Sequence, residues 1–92
     1  MIKSFKHKGL KKFFLNGDVQ GITNTHSKKL RLILTKLNTI ANARDMNFPG
    51  SGLHELKGEL DEFWSVSVNG NWRIIFRVKD NEVFDVDYLD YH

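Results

Sequence analysis

Apolar residues recur along this chain with two different periods, and the change falls near its middle. From Lys8 to Leu15 the residues Leu10, Phe13 and Phe14 fall on one helical face, and Asn16-Gly17 supplies a helix stop. After the polar connection "DVQGITNT", Leu30, Ile33, Leu34, Leu37, Ile40 and Ala41 repeat at helical spacing and predict a longer second helix over Ser27 to Ala43. Lys28, Lys29, Arg31 and Lys36 decorate its flanks. The segment "NFPGSG" then combines the only proline with two glycines and breaks regular structure.

Beyond it the pattern is that of β-strands. "FWSVSV" and "NWRIIFRV" flank Asn69-Gly70, a hairpin signal because both residues tolerate the positive φ of a type I′ turn. A second turn at "KDN" leads into "EVFDVDYL", which completes a three-stranded antiparallel meander. Upstream, "IKSF" alternates and suits a short first strand. With a three-residue loop at "KDN", Trp72, Ile74 and Phe76 share a face with Phe84, Val86 and Tyr88, and the helices cover it. Arg73, Arg77, Asp85, Asp87 and Tyr91 then point the other way, whereas a two-residue loop would put Phe84 and Val86 beside Arg73. The expected architecture is α+β, with two N-terminal helices packed on a small twisted, mainly antiparallel sheet, as a single domain over residues 1–92.

Length and composition agree with that picture. A chain of 92 residues buries somewhat over about 60% of the surface its unfolded form exposes, enough for one modest core. Hydrophobic content of 40%, with seven Phe and two Trp, argues against disorder despite 27% charged residues. With no cysteine there is no disulfide framework and no thiolate zinc site. The start "MIKSFKHK" lacks the apolar run of a secretory signal, and no stretch is apolar enough to span a membrane, so the cytoplasm is the expected compartment. His7, His26, His54 and His92 do not have H-x-x-x-H spacing, and the glycines of "FPGSGLHELKG" match neither a P-loop nor a dinucleotide fingerprint. Neither a metal nor a nucleotide cofactor is expected.

Charge changes the picture more. Residues 1 to 44 carry ten Lys or Arg and one acid, while residues 45 to 92 carry four and ten. A basic half of this kind favours a polyanionic partner, although solvated helix faces would give the same count.

The end of the chain supplies the candidate chemistry. "DVDYLDYH" extends a β-branched and aromatic run, so Asp90, Tyr91 and His92 are read as held at a strand end instead of fraying. Cleaving RNA without a metal needs a base for the 2′-OH, cations for the crowded phosphate and an acid for the leaving 5′ oxygen. His54, Lys57, Arg73, Asp90, Tyr91 and His92 can fill these roles: guanidinium offers paired donors to phosphate, and imidazole titrates near neutrality. Each also has an ordinary reading. Arg73 can pair across the sheet with Asp87, His54 and Lys57 can be loop residues, and Trp64 and Trp72 can be core.

The segments "MIKSF", "LHELKG", "WSVSVNGNWRIIF" and "DYH", in this order and covering nearly the whole chain, resemble the HigB group of the RelE-like bacterial toxins of type II toxin-antitoxin modules. The resemblance implies a RelE-like fold and a metal-independent, ribosome-dependent endoribonuclease that cuts messenger RNA in the decoding site to a 2′,3′-cyclic phosphate. It implies a helix-turn-helix antitoxin of HigA type as partner, and contact with operator DNA only through that complex. By position it assigns functional roles to His54, Lys57, Arg73, Asp90, Tyr91 and His92, and it suggests Lys3, Lys6, Lys8, Lys11 and Lys12 as a docking surface for ribosomal RNA, although an acidic antitoxin segment would suit the same surface. The hairpin tip departs from the pattern: some relatives place an arginine there, where this chain has Asn69-Gly70-Asn71. A non-catalytic RNA- or ribosome-binding module of the same fold is the alternative, and a partner acting only with its antitoxin at an operator is a third.

Overall fold

The computed structural model describes residues 1–60 and 62–91. Helix α1 spans Lys8–Asn16. Its first turn is capped by His7, whose Nδ1 accepts the Leu10 N–H at 2.9 Å, and it stops at Gly17. There φ is +74° and the N–H donates to the Phe13 carbonyl at 2.9 Å, the left-handed ending that glycine permits.

Helix α2 spans Ser27–Leu37, shorter than the apolar spacing predicts. Polar side chains at its end prefer other partners. The Asn38 carboxamide oxygen accepts the Ile2 N–H at 2.9 Å, and the Thr39 hydroxyl donates back to the Lys36 carbonyl at 2.8 Å. The chain then turns, yet Ile40 and Ala43 still reach the core while Ala41 is exposed. A 3-10 turn at Ala43–Met46 follows, closed by a capping box. In it the Asn42 side chain accepts the Arg44 N–H at 3.0 Å, and the Asp45 carboxylate accepts the N–H groups of Ala41 and Asn42 at 3.0 and 3.2 Å.

Those amide donors hold the Asp45 carboxyl below its ordinary range. Its contribution to stability is therefore present above the unfolded carboxyl value and lost as pH falls through the folded one. Replacing Asn42 by alanine removes the other half of the box. It is expected to lower stability by about 1 kcal/mol, read as a lower denaturant midpoint with an unchanged slope.

The sheet has the order β1-β2-β3-β4, antiparallel throughout: His54–Glu55, Trp64–Asn69, Trp72–Lys79 and Glu82–Asp90. The alternating N-terminal residues lie parallel beside β4 through bridges at Ile2–Val83 and Phe5–Val86, with Lys3 N–H bonded to the Val83 carbonyl at 2.7 Å. One face of the sheet meets the helices. Leu10 and Phe13 of α1 and Leu30, Ile33, Leu34 and Leu37 of α2 form a single buried cluster with Val66, Ile74, Phe76, Val83, Val86 and Tyr88. Trp64 and Trp72 pack against it, half-buried.

Both turns differ from their expected form. At the first, Asn69 is paired with Trp72, so the connection is Gly70-Asn71 and Gly70 alone supplies the positive φ. At the second, Lys79 pairs with Glu82, leaving two residues, Asp80 and Asn81, both at positive φ. A two-residue loop would invert every side chain of β4, and a β-bulge cancels the inversion. Pairing passes from Arg77–Phe84 to Ile75–Asp87, so three steps along β4 match two along β3, and Asp85 takes φ +55°. Val83 consequently occupies the core in place of Phe84. Val86 and Tyr88 stay inside, as expected, and Phe84 turns to the open face under Arg77, whose guanidinium lies 5.3 Å from its ring centre and pairs with Asp85 at 2.7 Å.

Candidate active site

The face of the sheet turned away from the helices carries the candidate chemistry. Directly paired residues of neighbouring strands project to the same side, so register fixes who shares it. One row runs His54, Ser65, Ile75, Asp87, and the next contains Ser67, Arg73 and Leu89. Ser65 and Ile75 are fully buried although they face away from the helical core, which makes this surface a packed floor.

Arg73 is the best-defined side chain on it. Its guanidinium turns toward β2 and away from Asp87, so the cross-sheet ion pair of the ordinary reading does not form. Nε donates to the Ser65 hydroxyl, and Nη2 donates to the Gly52 carbonyl at 2.6 Å and to the Ser65 carbonyl at 3.4 Å. None of these three acceptors carries a charge. Asp87 instead accepts the N–H of Tyr88 at 2.9 Å.

The "NFPGSG" break makes this arrangement possible. Gly50 and Gly52 take φ of +83° and +57°, and the loop runs against β2, where the Ser51 carbonyl accepts the Ser67 N–H at 2.8 Å. The Ser51 hydroxyl is buried and accepts the Phe48 N–H at 3.3 Å. Gly52 is thereby placed with its carbonyl at the guanidinium, and two residues later the chain enters β1.

His54 lies on β1, exposed and paired with Ser65. Its Cα and that of Arg73 are two strands and two residues apart, about 12 Å, but the guanidinium extends from β3 to Ser65, the residue paired with His54. Lys57 follows β1 and is exposed. Tyr91 continues β4, its N–H donating to the Asn71 carbonyl at 2.7 Å, with the residue 37% exposed. Since Leu89 pairs with Arg73, Tyr91 is the diagonal neighbour of Arg73 on the same face, roughly 7–8 Å away. Asp90 pairs with Trp72 and belongs to the opposite face. His92 lies outside the described residues.

The basic candidates lie along the N-terminal segment and α1. Lys3, Lys6, Lys8, Lys11 and Lys12 are all exposed, the first two on the segment beside β4 and the others at or within α1. Lys6 reaches onto the open face, its Nζ 5.6 Å from the Phe63 ring centre. Ser65 and Gly52 are the site residues that sequence reasoning missed. The signal was present in "WSVSV", where small polar residues alternate with valines and so line the face that Arg73 shares. Among the described residues no three His, Asp or Glu side chains come together as a metal-binding group.

His26 is accounted for by packing. It is 4% exposed, and its Nδ1 lies 2.6 Å from the Tyr88 hydroxyl, itself buried beside Trp72.

This geometry can be set beside known proteins. A curated protein from Proteus vulgaris, the endoribonuclease HigB, is 37% identical over 92 residues, covering all of both chains. Among solved structures, the Staphylococcus aureus YoeB-YefM toxin-antitoxin complex contains a chain that matches with a TM-score of 0.64 at 17% identity, over all of this chain and 98% of that one. The Staphylococcus aureus YoeB dimer matches at 0.63 and 19% identity, over 99% and 94%. At such identity these two establish a shared fold. Among the described residues no helix is long and apolar enough to cross a membrane. The model of the HigB-like toxins, described as the RelE-like toxin of the type II toxin-antitoxin system HigB, matches residues 3–92, and the chain belongs to that family.

Proposed function

We propose that this protein is an endoribonuclease acting as the toxin of a type II toxin-antitoxin module, cutting messenger RNA in the decoding site of a translating ribosome in the cytoplasm. The observation that carries the reading is Arg73, a guanidinium fixed by neutral oxygens on an open face it shares with His54 and Tyr91. Arg73 and Lys57 stabilise the scissile phosphate as its charge rises. A base removes the 2′-OH proton, the 2′ oxygen attacks phosphorus, and an acid protonates the departing 5′ oxygen, leaving a 2′,3′-cyclic phosphate and a 5′-OH. His92, with Tyr91 or His54 as its partner, carries the two proton transfers, and Asp90, projecting to the other face, acts in orientation by holding the end of β4 and not by contact with RNA.

Lys3, Lys6, Lys8, Lys11 and Lys12 supply sequence-independent contacts to ribosomal RNA phosphates. A helix-turn-helix antitoxin of HigA type neutralises the enzyme, and operator DNA is met only through that complex. Primer extension on a translated message after induction without antitoxin tests the reading. Discrete new 5′ ends are expected, and they are expected to vanish when initiation is blocked. A non-catalytic binding module of the same fold would slow growth yet produce no new ends.

A further inference from the structure

We propose that Ser65 is the positioning residue of Arg73, and that its hydroxyl, with the Gly52 carbonyl, selects which edge of the guanidinium meets RNA. This rests on the reading that Arg73 contacts the scissile phosphate. A guanidinium has five N–H donors arranged as a fork, one on Nε and two on each Nη. Among the described residues its bonds use Nε and Nη2, to Ser65 and Gly52. The Nε–Nη2 edge is therefore occupied by protein, and the donors turned to the phosphate are those of Nη1.

Ser65 suits this task. It is 0% exposed, so its hydroxyl faces little competition from water, and it sits on β2 between His54 and Ile75 in the same row. Gly52 completes the clamp from a backbone bend at φ +57°, a conformation that side chains rarely adopt. An arginine held on one edge has little rotamer freedom left to lose when the phosphate arrives, and misplacement by about 1 Å is enough to reduce a rate about 10²-fold.

The test measures single-turnover message cleavage on translating ribosomes across toxin concentration, using the full chain. Ser65→Ala and the near-isosteric Ser65→Cys are both expected to lower the saturating rate about 10- to 100-fold with an unchanged half-saturating concentration. Ser65→Thr, which keeps the acceptor, is expected to retain most of the rate. In an Arg73→Lys background, where no Nε exists to be held, Ser65→Cys is expected to cost nothing further. A merely structural serine would lower the rate in both backgrounds by the same factor, and that result overturns the proposal, as does a parental rate in Ser65→Cys. If Ser65→Ala does not fold, the cysteine variant decides. Parental cleavage by Arg73→Ala would sink the underlying reading instead, a separate outcome.

Discussion

Arg73→Ala is expected to lower the rate of message cleavage about 10²- to 10³-fold, the loss that follows removal of one preorganised donor from a developing oxyanion. The side chain is immobilised before substrate arrives, by oxygens of Ser65 and Gly52 that do not neutralise it. Its full charge is then available where the phosphate gains negative charge, with little reorganisation. Arg73→Lys is expected to lose nearly as much, because an ammonium offers no Nε for Ser65 to hold and no rigid guanidinium plane to keep donors aimed at the phosphate. Induction of either variant without antitoxin should leave growth close to that of uninduced cells, and 5′-end mapping should show the parental cut sites faint or absent. Thermal unfolding should stay within a few degrees of the parent, since the side chain is half-exposed and its loss opens no core cavity. Undiminished cutting by Arg73→Ala would remove this residue from the site.

The two helices were legible because their apolar faces keep a period of 3.6 residues over two or more turns. The end of α2 was not, since Asn38 is withdrawn from the helix by a bond to Ile2, 36 positions away, which no local pattern records. Strand β1 is two residues long, His54–Glu55, and both are exposed, so it carries no alternation to detect. The register of β4 depended on one residue. Asp85 at positive φ restores the parity that the two-residue turn inverts, and aspartate between two apolar residues reads equally well as an ordinary outward position. The six candidate positions were read from segments that follow one another in a fixed sequence along the chain; of these His54, Arg73 and Tyr91 lie on the open face, Asp90 lies on the other, and His92 is outside the described residues. The clamp around Arg73 needed the fold, because Gly52 and Ser65 approach it only once the loop before β1 lies against β2.

Dependence on backbone placement extends to α1, which carries Lys8, Lys11 and Lys12, and Gly9 shows how tightly that helix is seated. In an isolated helix Gly→Ala gains about 1 kcal/mol. Here the sign should reverse. A Cβ on Gly9 would lie 2.6 Å from the Gly21 carbonyl oxygen and 2.7 Å from its Cα, and one on Gly21 would lie 2.5 Å from the Gly9 Cα. All of these obstacles are backbone atoms, so no rotamer change relieves them, and α1 must move away from the connection ahead of α2. That connection is tied to the core, with the Thr23 N–H donating to the Tyr88 hydroxyl at 3.4 Å and His26 bonded to the same group. Gly9→Ala is therefore expected to destabilise by about 1–3 kcal/mol, the usual range for overpacking, seen as a lower denaturant midpoint. Gly21→Ala should do the same. Because either methyl opens the same gap, the double variant should lose less than the two single losses combined. A higher midpoint for Gly9→Ala would mean that the helix does not press on Gly21, and a fully additive pair would mean that the two glycines are not each other's obstacle.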